Sequence, residues 1–144
     1  MYYKDLTEYT YTALSLAGRS LNIGWLDALH PFQIGRLSAS LLDKLKGLYR
    51  TSINQTRGFH LCPFCDATNY VFPTIEVAGT SRRLGSAEIL LSDGSTNYLA
   101  PDLLIHYIEC HSYQPPIEFM HALECMENPQ ANQSTNREQN IGGQ

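Results

Sequence analysis

The stretch "RGFHLCPFC" (57–65) constrains this chain more than any other. It sets two thiols, Cys62 and Cys65, at the spacing with which a tight turn presents both to one cation. Two further ligands close a tetrahedral zinc site, and "LLIHYIECHSYQPP" supplies a pair in His106 and His111. That H-x4-H arrangement falls within the window usual for Cys2His2 sites. The expected metal site is therefore Cys62, Cys65, His106 and His111 around Zn2+. The 40 residues between the pairs (66–105) far exceed the gap in a simple finger, so a knuckle, an inserted β-hairpin and a distant helix must meet at the metal. Four protein ligands leave no coordination position for water, and a site filled in this way is structural.

One geometric objection attaches to this set. Five residues on an ideal helix turn through about 140°, so His106 and His111 diverge unless the last turn distorts. Cys110, about 40° from His106, suits a regular helix better and stands as the substitute ligand. His60, two residues before Cys62, is a further competitor. His121 and Cys125 fall on the final helix and read as structural or incidental. The alternative chemistry for "CPFC" is redox, as in glutaredoxin-like sites where a helix N-terminus lowers a thiol pKa. The following "DATNYVFPTIEV" reads as turn and strand and supplies no such helix. Zinc deaminase chemistry needs an H-x-E motif upstream of P-C-x-x-C, and neither that nor H-E-x-x-H is present.

Around the motif the chain reads as α+β. Residues 1–35 look irregular, punctuated by Gly24, Pro31 and Gly35, with Trp25 as a core anchor. Leu37, Leu41, Leu45 and Leu48 have helical spacing over 36–50. "NYVFPTIEV" (69–77) predicts a strand kinked at Pro73, "GTSRRLG" a turn or loop, and "SAEILL" a second strand. "SDGSTN" is a tight connection, and "NYLA" adds a short third strand. A helix is expected over 101–111 with Pro101 at its first position, and Pro116 opens another. From 127 the chain is nearly devoid of apolar residues, so the expectation is one zinc-binding domain, 1–126, and a disordered polar tail, 127–144.

Composition narrows the functional classes. With 144 residues and 43% hydrophobic content the chain can build one modest core. A formal charge of -4 argues against sequence-independent nucleic-acid binding, which needs basic surface; Arg57, Arg82 and Arg83 would be its phosphate contacts. No signal peptide or membrane span is apparent, so the expected compartment is the cytoplasm, where paired cysteines favour metal over disulfides.

Several segments together resemble a family of uncharacterised small bacterial proteins: "YYKDLTEYTY", "LNIGWLD" with the following "HPF", "NQTRGFHLCPFC", "LGSAEILL" and "YLAPDLLIHYIECHSYQPPIEF". The resemblance spans about residues 2–120 and implies Cys62, Cys65, His106 and His111 as metal-type positions, with no activity attached. The functional expectation is a non-enzymatic, zinc-stabilised domain that binds another protein, as an immunity, anti-toxin or regulatory partner. The alternatives are a nucleic-acid-binding zinc module, a CxxC redox protein, or a zinc hydrolase using Glu88, His60 or Asp27 beside an incompletely ligated metal. Glu88 alternates with Ala87 and Ile89 and is expected to face solvent from its strand.

Overall fold

Apolar residues on both sides of "SDGS" form the hairpin at the centre of the molecule. In the computed structural model, which describes residues 1–11 and 16–126, strand β4 (Glu88–Ser92) pairs antiparallel with β5 (Thr96–Pro101). Asp93 closes the turn by accepting from the N–H groups of Ser95 and Thr96 at 3.0 and 2.7 Å. Strand β1 (Arg19–Asn22) lies parallel to β5 on its other side, giving the order β1-β5-β4. The expected minor strand at "NYLA" is thus the central strand, and all but its first residue are buried.

β1 corrects the reading of residues 1–35 as irregular. It is four residues long and depends on non-local partners: Asn97 Nδ2 donates to the carbonyls of Ala17 and Arg19 at 2.8 and 3.1 Å. The N-terminal segment then follows this edge through the isolated bridges Glu8↔Leu21 and Tyr3↔Trp25.

A second sheet is the hairpin of β2 (Thr74–Val77) and β3 (Thr80–Arg83). Its turn residues Ala78 and Gly79 have φ of 53° and 79°, the paired positive values that close two-residue hairpins. The segment "GTSRRLG" is therefore largely strand, not loop. Its arginines are engaged: Arg82 donates to the Tyr49 carbonyl, and the Arg83 guanidinium lies 4.9 Å from the Phe72 ring centre. The strand predicted from residue 69 starts only at Thr74, beyond Pro73, which lacks the N–H a ladder needs.

Helix α1 (Ala39–Leu48) is capped by Ser38, whose hydroxyl accepts from Leu41 N at 3.2 Å, and it runs into a 3-10 turn, Tyr49–Thr51. Its leucine stripe packs inward around Leu45. Helix α2 (Leu104–His111) begins later than expected, because Pro101 is the last residue of β5 and not the first of the helix. The diproline 115–116 ends the connection to α3 (Ile117–Cys125), which buries Phe119, Ala122 and Leu123. The core gathers Leu45, Tyr49, Ile89, Leu104, Phe119 and Leu123 between helices and sheet. The result is a small single α+β domain with three α-helices and two sheets among the described residues. No described helix is long and apolar enough to cross a membrane. The tail expected from 127 lies outside the described residues.

Candidate metal centre

The knuckle is built by backbone geometry around Pro63. Phe64 N–H points at Cys62 Sγ (3.4 Å), and Cys62 N–H donates to the Tyr70 hydroxyl (2.8 Å), so the turn is tied to the chain that leaves it. Phe64 anchors it on α2, with ring centres 5.9 Å from Tyr107 and 5.3 Å from His111. Helix α2 carries His106 one turn before its end and His111 as its last residue. Ser112 then turns left-handed (φ 57°), and its N–H closes on the Tyr107 carbonyl.

These elements bring Cys62, Cys65, His106 and His111 together, with one ligand atom from each lying within 4.8 Å of all the others. Cys65 Sγ is 3.3 Å from His106 Nε2 and 3.6 Å from His111 Nε2, and Cys62 Sγ is 3.4 Å from His111 Nε2. A tetrahedral ion with bonds of about 2.3 Å to sulfur and about 2.05 Å to nitrogen sets S···N edges of about 3.6 Å. Three S···N edges of the cluster thus lie close to those of a four-coordinate site, and its four residues could bind a metal.

The objection from helix geometry is met without unwinding the helix. α2 stays helical through His111, and the knuckle sits where both rings reach, their centres 5.0 Å apart and nearly perpendicular at 78°. Cys110 is exposed and outside the cluster, as are His60 and, on α3, His121 and Cys125.

Burial pushes the Cys62 thiol up to about 11 and lowers both histidines, His106 further through its neighbour His111. At neutral pH the imidazoles thus offer lone pairs, while the buried Cys62 thiol keeps its proton unless a cation takes its place.

The other candidate residues lie elsewhere. Glu88 does not face solvent: it is 3% exposed, and Tyr9 OH donates to its Oε1 at 2.6 Å. The strand alternation was real, but the second face of β4 is covered by Tyr9 and Trp25 from the N-terminal region. Asp27 accepts from the Leu29 and His30 N–H groups and sits 2.7 Å from His30 Nδ1, in an exposed loop where Tyr2 stacks on His30 at 3.8 Å. Neither carboxylate joins the cysteine and histidine cluster. Trp25 is buried, its Nε1 donating to the Leu99 carbonyl at 3.1 Å. Asp102, expected in the first turn of a helix opened by Pro101, where negative charge is favoured, instead precedes α2 and is 2% exposed, its Oδ1 accepting the Gly85 N–H at 2.7 Å.

Fold and cluster define a small α+β domain with a Cys2His2 arrangement able to hold a metal ion. The chain belongs to the family described as a domain of unknown function (DUF7919), whose model matches residues 1–124. No curated protein and no solved structure matches it.

Proposed function

We propose that Cys62, Cys65, His106 and His111 hold one structural zinc ion, and that the domain so stabilised acts by binding another protein, without catalysis of its own. The observation that carries this reading is the convergence of four ligand atoms within 4.8 Å from a knuckle and a helix far apart in sequence. Two thiols and two imidazoles in a tetrahedral set suit zinc better than the hard cations, which prefer oxygen. All four positions are taken by side chains, so the ion links segments and leaves no site for a reacting water.

The partner reading draws on the surface beside the knuckle. Leu61 and Val71 are 47% and 81% exposed on either side of the cysteines. Phe59 packs edge-on against Phe72 with ring centres 5.4 Å apart. Zinc at this position would hold an apolar surface in shape. Nucleic acid is a poorer fit, since Arg82 and Arg83 are engaged within the domain and the net charge is -4.

Two experiments test the two halves. Cys62→Ser, Cys65→Ser, His106→Ala and His111→Ala should each lower zinc content from one per chain, while Cys110→Ser and His121→Ala should keep it. Undiminished metal in the first four would remove the site. For the partner, affinity capture should recover one reproducible protein that is lost on Leu61→Asp and Val71→Asp substitution with zinc retained. Recovery unaffected by those changes contradicts the surface assignment.

A further inference from the structure

Away from the cysteines, a cavity of ≈ 220 Å³ opens where the start of β4, the end of β5 and the 54–60 segment meet. Its lining joins two kinds of side chain: the acids Glu88 and Asp102, and the aromatic residues Tyr11, Trp25 and Phe59. Both carboxylates are buried, at 3% and 2% exposure. Among the described residues no lysine or arginine lines the cavity, Met1 does, and the only ion pair is that of His30 with Asp27.

We propose that this cavity binds a small organic cation, an ammonium or guanidinium group on an alkyl stem, with Glu88 as its counter-ion and Trp25 and Tyr11 as its aromatic wall. A buried carboxylate is costly unless paired, and among the described residues neither Met1, which lines the cavity, nor Arg82, which acts on Asp102 from a distance, forms an ion pair with Glu88 or Asp102. Glu88 is held rather than mobile: Tyr9 OH donates to Oε1, and Ile53 brackets the residue with two backbone hydrogen bonds of 2.8 Å. Such fixing of a charged group is what a recognition site requires and a solvated carboxylate does not. Asp102 has a second task, accepting the Gly85 N–H, so it contributes mainly negative potential. Burial raises both carboxyls above their ordinary range, and an incoming cation would restore the ionised forms.

The rings supply the rest of the recognition. Trp25 is locked by its hydrogen bond to Leu99 and by an edge-on contact with Tyr3 at 5.6 Å. Tyr11 sits 6.0 Å from it, centre to centre. Rings fixed in this way attract a cation through their quadrupoles. The volume is below the roughly 300 Å³ at which drug-sized pockets begin, which suits a single basic group and excludes a nucleotide. None of these residues belongs to the metal cluster, so the inference stands independently of zinc.

Trp25 is the only tryptophan of the chain and lines the cavity, so its fluorescence reports directly. The full chain is titrated with agmatine, n-butylamine and Nα-acetyl-arginine-N-methylamide, with n-butanol as the neutral control. The cations should give a saturable change that n-butanol does not, and Glu88→Gln should weaken them at least about tenfold. Binding of the blocked arginine as tightly as agmatine assigns the site to a basic side chain of another protein. Binding of the free amines alone assigns it to a metabolite-sized amine. No saturable change up to on the order of 10 mM, an equal response to n-butanol, or equal affinity in Glu88→Gln overturns the proposal. Should Glu88→Gln not fold, amide shift mapping of the wild-type chain decides: shifts centred on Trp25, Asn54 and Glu88 sustain the site, and shifts elsewhere refute it.

Discussion

Replacing Tyr49 by phenylalanine removes one oxygen from the centre of the molecule and leaves two backbone groups without a partner. The Tyr49 hydroxyl donates to the Asp102 carbonyl at 2.7 Å and accepts from the Ile105 N–H at 3.0 Å. Ile105 lies in the first turn of α2, where N–H groups lack partners within the helix, and Leu103 at its N-cap makes no side-chain bond. A residue from another element therefore does the capping. Phenylalanine keeps the ring, which is fully buried, so packing changes little. Each buried backbone group left unpaired costs about 1–3 kcal/mol, and partial relaxation brings the expected total to about 2–4 kcal/mol. Urea unfolding at fixed free zinc measures it as a lower midpoint with an unchanged slope. Burial holds the phenol well above its ordinary pKa, so the deficit should be the same at pH 6 and pH 9. Because α2 carries both histidines, zinc should also bind more weakly. A loss below about 0.5 kcal/mol would refute the assignment of Tyr49 as the cap of α2.

Gly85 has φ of 120°, and an added Cβ would stand 2.5 Å from the His60 carbonyl oxygen. Gly85→Ala should therefore cost about 2–4 kcal/mol and loosen the approach to the knuckle, and an unchanged thermal melt contradicts this. Asp102 is raised by burial from 3.8 to about 6, so the folded state binds the extra proton and this group's contribution is lost as pH rises. Wild type should lose about 2 kcal/mol more than Asp102→Asn between pH 4.5 and 7, and parallel stability curves would show the carboxyl is not perturbed. Zinc binding must displace the protons of two thiols, so its affinity should rise by up to about a hundredfold per pH unit below the thiol range, and a pH-independent affinity would exclude thiolate ligation.

Legibility in the sequence followed how local each determinant is. Helix α1 was readable because Leu41, Leu45 and Leu48 lie on one face, and the β4–β5 turn because Asp93 and Gly94 carry its chemistry within a few residues. The four cluster residues were readable because C-x-x-C and H-x4-H are patterns of residue type and spacing that survive without a fold. β1 was not readable, since its four residues become a strand only through parallel pairing with Thr96–Leu99. The burial of Glu88 is illegible for a related reason: alternation tells which residues share a face, but whether Tyr9 and Trp25 cover that face is a long-range fact. The β2–β3 hairpin leaves a weaker signal, because "AG" lacks the Asn-Gly or Asp-Gly mark although both its residues take positive φ. Pro101 suits a helix start as well as a strand end, and only its pairing with Glu88 decides between them.

X-ray absorption at the zinc edge of the purified full chain, with metal content determined on the same sample, tests most directly whether two sulfur and two nitrogen atoms hold a metal. The predicted result is about one zinc per chain with two sulfur scatterers near 2.3 Å and two imidazole nitrogens near 2.0–2.1 Å. A metal-free protein that remains folded, with Cys62 and Cys65 cycling reversibly between dithiol and disulfide, would contradict it and return the "CPFC" pair to redox chemistry.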